Sequence, residues 1–319
     1  MQNLNSYFIK NNQLKSKMSL VLTLMKSGCT FDQIKIISGC KQDSIQEMIS
    51  QSFGKSVNMY ENMRKYLSDE QCLRMWLMIN KLNDELSFKL IKQLLYPSFI
   101  CIFTYVSMLF FKLTLLQRIQ SMFEIADSNL ILIGFNTTLV LLTMIYMTIF
   151  ITLIFLKISL NNPNSRNFFY KSLHLRFKDN ILTVYTTGLF SRMLNECIKS
   201  GISTQKSLEM LGRNVDFPFV AFLASNCSNK LNEGNSFNDS ISSIETDSSF
   251  KIYMQLGFYE INVISQLSNY CEFNTEYLSF KLKRLIDCFT VFVYFQFSIS
   301  VILLYQVIQI PMTALGSMI

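Results

Sequence analysis

The sequence predicts an all-α, polytopic membrane protein with three transmembrane helices and two homologous helical-bundle domains outside the lipid. Three observations support this prediction. Of the 319 residues, 50% are hydrophobic and only 16% are charged, which is too apolar for an ordinary soluble domain. Three apolar runs reach the ~20 residues that a helix needs to cross the hydrocarbon core. The segments between these runs are polar and repeat a set of short motifs in the same order.

The predicted spans are residues 97–116, 130–158 and 289–310. The first begins at Pro97 and contains Lys112, whose stem can reach the interface at the end of the span, ~6 Å away. We interpret Lys112 as an anchor near the outer end of the span, with a functional buried charge as the alternative. Pro311 follows the third span and begins the predicted tail, residues 311–319.

Charges beside the spans predict one orientation. Basic residues precede the first span, follow the second and precede the third: Lys89, Lys92, Lys157, Arg166, Lys171, Arg176, Lys178, Lys281, Lys283 and Arg284. The positive-inside rule places these flanks in the cytoplasm. Residues 1–96 and 159–288 are then cytoplasmic domains, the amino terminus is inside, and residues 117–129 and 311–319 lie outside. These flanks also explain the net charge of +7, for which nucleic-acid binding is the alternative.

The two predicted cytoplasmic domains resemble each other. Four motifs recur in order: Lys26-Ser27-Gly28 as Lys199-Ser200-Gly201, Gly39 as Gly212, Gly54-Lys55-Ser56 as Gly234-Asn235-Ser236, and Ser87-Phe88-Lys89-Leu90 as Ser279-Phe280-Lys281-Leu282. Each match is weak alone, but their colinear order indicates a duplicated unit in which the second copy gained short insertions.

Each copy is predicted to begin with a helical hairpin. In the second copy an apolar stripe has helical spacing and stops at Gly201: Leu182, Tyr185, Leu189, Phe190, Met193, Leu194 and Cys197. Glycine suits a left-handed helix end. The next helix starts with a Thr30 to Gln33 capping box in the first copy, or with Ser203 or Thr204 in the second, and ends at Gly39 or Gly212.

The residues that could support chemistry do not form a recognisable site. Gly54-Lys55-Ser56 resembles the end of a phosphate-binding loop, but Ile49 stands where that loop needs glycine, so we interpret the motif as a turn followed by a serine cap. The single histidine, His174, has no second histidine to share a metal and is interpreted as an interfacial surface residue. No cofactor, metal or enzymatic activity is expected.

Polar residues within or beside the spans have two interpretations each. Asn136, Gln296 and Gln306 favour hydrogen bonding between packed helices, with a transport path as the alternative.

The basic stretch from Lys157 to Lys178 contains Phe168, Phe169 and Tyr170. We interpret it as a juxtamembrane anchor with aromatic rings at the headgroups, and a partner-binding surface is the alternative. The eight cysteines contain no Cys-x-x-Cys pair and are read as small buried hydrophobes.

Along nearly its whole length, the chain resembles the type II secretion F-protein family. The resemblance rests on the two domains with their Lys-Ser-Gly motifs, the arrangement of spans, and several turn motifs: Gly234-Asn235-Ser236-Phe237, which is similar to the family's Gly-x-Ser-Phe turn, Tyr96-Pro97, and Pro311. Two departures are Glu260-Ile261-Asn262, where the family has Glu followed by Ser-Gly, and Asp287-Cys288, where an acidic residue followed by proline is usual.

The resemblance implies a non-enzymatic platform in the cytoplasmic membrane that couples a hexameric cytoplasmic ATPase to assembly of pilins or pseudopilins. It also implies a homo-oligomer and no direct nucleic-acid binding. The short chain and its Asn, Lys and Ile-rich composition look like the competence branch, in which a pseudopilus serves DNA uptake. Candidate partner contacts are Glu260, Arg166, Lys171, Arg176 and Lys178. A transporter or channel subunit is the main alternative, and a membrane-bound enzyme is the third.

Overall fold

The structure is a computed structural model that describes residues 15–38, 57–118, 130–161 and 163–316. These residues form helices and turns without a strand among them, which confirms the predicted all-α class. The chain divides into two compact units. Unit 1 consists of Met1–Leu86 and Pro163–Ser279, and unit 2 consists of Ser87–Asn162 and Phe280–Ile319. Gly39, Gly54 and most of the predicted 117–129 loop lie outside the described residues.

The helices follow one another in this order: α1 (residues 15–26), α2 (Phe31–Ser38), α3 (Val57–Arg64), α4 (Asp69–Phe110), α5 (Leu130–Asn161), α6 (Pro163–Arg176), α7 (Ile181–Lys199), α8 (Thr204–Gly212), α9 (Pro218–Asn232), α10 (Phe237–Ser243), α11 (Ser248–Tyr259) and α12 (Val263–Gly316). A π-helical segment, Phe111–Leu116, directly follows α4. Most of the short helices belong to unit 1, whereas α4 and α12 begin in unit 1 and end in unit 2.

Helices α1 and α7 end in the same way. Gly201 has a left-handed φ of 81°, its N–H donates to the carbonyl of Ile198 at 2.9 Å, and the next N–H, of Ile202, donates to Cys197 at 3.1 Å. Gly28 has a φ of 79° and the same pair of bonds closes α1. A residue with a Cβ would be strained in this conformation, which explains why the recurring Lys-Ser-Gly motif ends in glycine.

The predicted capping box at the start of α2 is confirmed in part. The backbone N–H of Thr30 donates to Gln33 Oε1 at 3.0 Å, which is the reciprocal bond of a capping box. The same arrangement starts α4, where the Ser68 N–H donates to Gln71 Oε1 at 3.0 Å and the Gln71 N–H donates to Ser68 Oγ at 3.3 Å. Local sequence thus determines where both helices begin.

Helix α7 supplies the centre of the unit 1 core. Asn180 caps its first turn by accepting from the Thr183 N–H at 2.8 Å. The side chains of its apolar stripe are at most 2% exposed at Leu189, Phe190, Met193, Leu194 and Cys197. Phe190 packs edge-to-face on Phe250 of α11, with ring centroids 6.0 Å apart. Full burial of a large apolar side chain contributes roughly 1.5–3 kcal/mol, so this stripe is a main source of unit 1 stability.

Among the described residues, three helices are long and apolar enough to cross a membrane, over Asp69–Thr114, Ile133–Thr152 and Val263–Gln309, which confirms the predicted number of spans. Two of these helices, α4 and α12, start well before the predicted spans. Helix α4 passes through Pro97, which the sequence placed at the entrance of the first span. Helix α12 likewise continues past Pro311 to Gly316, so Pro311 lies inside the helix.

In unit 2 the three long helices share a small apolar core. Its buried members are Met108, Leu116, Phe135, Leu139, Leu142 and Val307. Large apolar side chains on the same helices are exposed, including Phe103 at 58%, Leu141 at 63% and Ile302 at 57%. A water-exposed surface rarely carries so many adjacent apolar groups, so these faces suit contact with lipid.

Candidate partner-binding residues and their supporting network

A buried polar network in unit 1 joins α7 to α12. Arg192 is 5% exposed, and its Nη1 donates to the Gly188 carbonyl at 2.7 Å and to Asn274 Oδ1 at 3.0 Å. Its Nη2 donates to the Cys271 carbonyl at 2.7 Å and to Thr275 Oγ1 at 2.6 Å. Both terminal nitrogens are therefore committed to acceptors that hold the first turns of α12 against α7.

Gly188 permits this close approach. A Cβ at position 188 would lie 2.7 Å from Asn274 Cγ, closer still to Asn274 Oδ1, and 2.9 Å from Arg192 Nη1. Asn274 cannot move away freely, because its Nδ2 donates to the Val184 carbonyl at 3.0 Å and to the Tyr270 hydroxyl at 3.1 Å. The interface between the two helices thus requires glycine at this position.

Asp247 extends the network to α11. It caps that helix by accepting from the Phe250 N–H at 2.8 Å, and the Tyr270 hydroxyl donates to its other oxygen. Because the side chain is 1% exposed, burial raises the pKa of Asp247 to about 6, while the bonds from Tyr270 and Phe250 act in the opposite direction. Asp247, Tyr270 and Asn274 are each at most 1% exposed, and the network fixes the relative positions of α7, α11 and the first part of α12.

The basic candidate contacts lie on α6 and the turn that follows it. Lys171, Arg176 and Lys178 are exposed, and Arg166 is half-buried. The neighbouring aromatic residues do not behave as one anchor. Tyr170 is 1% exposed, donates to the Glu245 carbonyl at 2.9 Å and stacks on Phe219 at 5.2 Å between centroids. The headgroup interpretation is therefore wrong for Tyr170, since its ring is part of the unit 1 core.

The interpretation of His174 as a surface residue is also wrong. The side chain is only 9% exposed, and burial is the main cause that lowers its pKa, followed by the charge of Lys251. Glu245 and Asp179 act in the opposite direction. A helix-period reading of α6 would place His174 on the same face as Tyr170, four residues earlier, and that signal could have identified it as buried.

Glu260 directly follows the last residue of α11. It is exposed and accepts from Gln266 Nε2 at 2.7 Å. The next residue, Ile261, has a left-handed φ of 55° and is 93% exposed, which is unusual for a β-branched side chain. Glu260 and the basic candidates thus belong to different elements, α11 and the α6 region.

The remaining motif residues have structural positions. Ser236 caps α10 by accepting from the Asp239 N–H at 3.1 Å, directly after Gly234, whose φ of 88° closes α9. Gly212 is the last residue of α8, and a Cβ there would lie 2.8 Å from Ser225 Oγ, so its small size allows α8 and α9 to pack closely.

A polar cluster in unit 2 contains one residue from each long helix. The Tyr146 hydroxyl of α5 donates to Gln296 Oε1 of α12 at 3.0 Å and lies 3.0 Å from the Cys101 sulfur of α4. Gln296 is 5% exposed, which agrees with the predicted packing role. Gln306, in contrast, is exposed, and Asn136 is half-buried.

These features define the class of protein: a three-span helical membrane protein with a compact helical unit formed by its more polar segments. A family model described as Type II secretion system (T2SS), protein F, matches residues 190–311, from the middle of α7 into the last part of α12. The matched domain indicates a multi-pass inner-membrane platform protein of a type II secretion or type IV pilus-like machine. No curated protein matches the chain.

Proposed function

We propose that the chain is the platform of such a machine and couples a cytoplasmic assembly ATPase to polymerisation of pilins or pseudopilins. The match over residues 190–311 is the observation that carries this proposal. Proteins with this domain are non-catalytic and generally work with an ATPase and pilins in a membrane machine. The chain itself would therefore act as a mechanical link and not as an enzyme.

Two continuous helices support a mechanical role. Helix α12 runs from Val263 to Gly316 without a break, and its first part is held by the Arg192 and Asn274 network. Helix α4 is similarly continuous from Asp69 to Phe110. A displacement of α7 would also move the first turns of α12, which is continuous with the apolar part of the same helix.

The flanking charges support an orientation in which residues 1–96 and 159–288 are cytoplasmic. Residues 117–129 and 311–319 would then be outside the cell membrane. In this orientation the exposed basic residues of the α6 region and Glu260 would be available to the ATPase. A single cysteine introduced into 117–129 should react with a membrane-impermeant maleimide from outside, whereas reaction only after permeabilisation would contradict the orientation.

The finer assignment is to a competence pseudopilus for DNA uptake, with the platform present as a homo-oligomer. The Asn, Lys and Ile-rich composition supports this branch. The chain would act on pseudopilins and not on DNA. If the assignment holds, deleting the gene should abolish uptake of labelled DNA, while growth stays unchanged.

Binding to the ATPase tests the proposal directly. The full chain in nanodiscs should retain the assembly ATPase of the same cell, and charge reversal at Lys171 and Arg176 should weaken that binding. The matched control reverses Lys206 and Lys230, which are equally basic but lie on α8 and α9. Retention of the ATPase by neither wild-type nor control protein would contradict the proposed coupling.

A further inference from the structure

A short basic motif recurs at the polar end of two spans in unit 2. Phe88-Lys89-x-x-Lys92 on α4 matches Phe280-Lys281-x-x-Arg284 on α12, and each position is shifted by 280 − 88 = 192 residues. The predicted spans that follow start at residues 97 and 289, which are separated by the same number of residues. Both basic motifs belong to unit 2, so their relative position follows from the packing of α4 on α12 within that unit.

Helices α4 and α12 run in the same direction through unit 2. The Cys101 thiol donates to Gln296 Oε1 at 3.6 Å and, further along both helices, the Ser300 hydroxyl donates to Met108 Sδ at 3.1 Å. Each basic motif ends 108 − 92 = 300 − 284 = 16 residues before its member of the second pair, about 24 Å along a continuous helix. The first pair departs from this register by less than one helical turn. The two basic motifs therefore lie at the same level of unit 2.

Each basic motif begins an exposed face that continues into the apolar part of its helix. At three- and four-residue spacing, the exposed side chains on α4 are Phe88, Lys92, Leu95, Phe99 and Phe103. The corresponding exposed side chains on α12 are Phe280, Arg284, Asp287, Val291 and Phe295. Helical side chains point toward the amino-terminal end of the helix, so Lys92 and Arg284 extend away from the apolar part. A lipid that lies along either face would therefore have its headgroup beside a cation.

The charge at this level is positive. The α4 face contains no carboxylate, and the α12 face contains one, Asp287, one turn after Arg284. Lys92, Lys283 and Arg284 are exposed, and none of them forms an ion pair with any described residue. Arg284 lies 5.0 Å from the centroid of the Phe280 ring, a contact that does not neutralise its charge. The two cations of each motif are three residues apart and repel each other, so an anion between them is stabilising.

We propose that each basic motif binds the headgroup of an anionic phospholipid. The two cations contact the phosphate, the phenylalanine packs against the glycerol region, and an acyl chain follows the apolar face. A phospholipid matches both the cations and the apolar face, whereas an acidic protein segment or a free phosphate matches only the cations. A zwitterionic headgroup brings its own ammonium group, which the same cations repel. This lipid selectivity does not depend on the proposed coupling to an ATPase.

Native mass spectrometry of the full chain, released from detergent micelles, counts the lipids bound at each lipid concentration. Two probes, dioleoyl-phosphatidylglycerol and dioleoyl-phosphatidylcholine, differ in headgroup charge. Glycerol phosphate represents a free phosphate and hexaglutamate represents an acidic protein segment. Because each lysine or arginine contributes roughly fivefold to affinity for an anionic surface, we expect one phosphatidylglycerol per motif to bind about tenfold tighter than phosphatidylcholine. Glycerol phosphate and hexaglutamate should bind more weakly and should not displace it.

Variants assign each bound lipid to its motif. Lys89→Gln with Lys92→Gln should remove one of the two tight sites, and Lys281→Gln with Arg284→Gln should remove the other. All four changes together should lower the affinity for phosphatidylglycerol about tenfold, to that for phosphatidylcholine. Binding of phosphatidylcholine should not change, which shows in the same experiment that the variants are folded. Exchanging the cations, Lys92→Arg with Arg284→Lys, should preserve the preference because both positions keep their charge.

A matched control separates binding at the motifs from attraction to the net charge. Lys206→Gln with Lys230→Gln removes the same charge from α8 and α9 of unit 1 and should leave both sites intact. Equal affinity of the wild-type chain for the two lipids would overturn the proposal, as would a preference that survives all four changes. An equal loss of preference in the control also overturns it. Tighter binding of hexaglutamate or glycerol phosphate than of phosphatidylglycerol would instead assign the motifs to an acidic protein segment or a free phosphate.

Discussion

Replacing Gly188 by alanine should destabilise unit 1, although alanine is the better helix former. The added methyl group would lie 2.7 Å from Asn274 Cγ and 2.9 Å from Arg192 Nη1, so the Asn274 side chain has to leave its position. Asn274 would then lose its bonds to the Val184 carbonyl, the Tyr270 hydroxyl and Arg192. The mutation therefore acts on the contact between α7 and α12 and not on α7 alone.

The magnitude follows from these bonds. Each of the two neutral hydrogen bonds is worth about 1 kcal/mol and the bond to Arg192 about 2 kcal/mol. The gain in helix propensity from glycine to alanine offsets about 1 kcal/mol of this loss. The net destabilisation is about 3 kcal/mol, which corresponds to a fall of roughly 6–12 °C in the melting temperature of a unit of this size.

A thiol-reactive dye can follow the melting in detergent, because Cys72, Cys197 and Cys227 are each 0% exposed and become reactive only on unfolding. The paired variant Asn274→Ala loses the same bonds without a clash. Combining it with Gly188→Ala should cost much less than Gly188→Ala costs in the wild-type chain, since only the contact with Arg192 Nη1 at 2.9 Å then remains. A rise in melting temperature for Gly188→Ala, as expected at a solvent-exposed helix position, would refute this reasoning.

Three further predictions test separate features. Burial raises the pKa of Asp247 to about 6, so between about pH 4 and pH 6 the folded chain keeps a proton that the unfolded chain has released. The free energy of unfolding should therefore fall by about 3 kcal/mol as pH rises from about 4 to above 6. In Asp247→Asn the melting temperature should lose this pH dependence, and an unchanged slope would argue against a buried, protonated Asp247. Gly201 has open space where a Cβ would lie, but its φ is 81°, so Gly201→Ala should lower the free energy of unfolding by about 1 kcal/mol. Gly201→Asn should lower it less in the same dye assay. Equal stability of the wild-type chain and both variants would contradict the left-handed cap. Tyr146→Phe removes the hydroxyl that contacts Gln296 and should lower stability by about 1 kcal/mol, whereas Tyr305→Phe, on an exposed face of α12, should change it little.

Features set by local sequence were predictable. The apolar stripe of α7, the glycine closures at Gly28 and Gly201 and the capping box at Thr30 each depend on residues within one or two helical turns. The three spans depend on hydropathy over ~20 residues. Periodicity and end signals therefore gave the helical class and the number of long apolar helices.

Features set by tertiary contact were not predictable in the same way. Arg192 and Asn274 are far apart in the chain, and neither is unusual in its own helix, so their bond follows only from the packing of α7 on α12. Tyr170 looked like a headgroup aromatic because it lies in a basic stretch, yet its neighbours Phe219 and Phe222 come from α9. Hydropathy also delimited only the apolar part of α4 and α12, since it does not report on the polar turns by which both helices extend into unit 1.

Surface pilin is the most direct measure of whether this chain is an assembly platform. In cells that lack the chain, pilins or pseudopilins should remain in the membrane fraction and be missing from the sheared surface fraction, while the level of the assembly ATPase is unchanged. Expression of the wild-type chain should restore them. Normal surface filaments in the deletion strain would contradict the account.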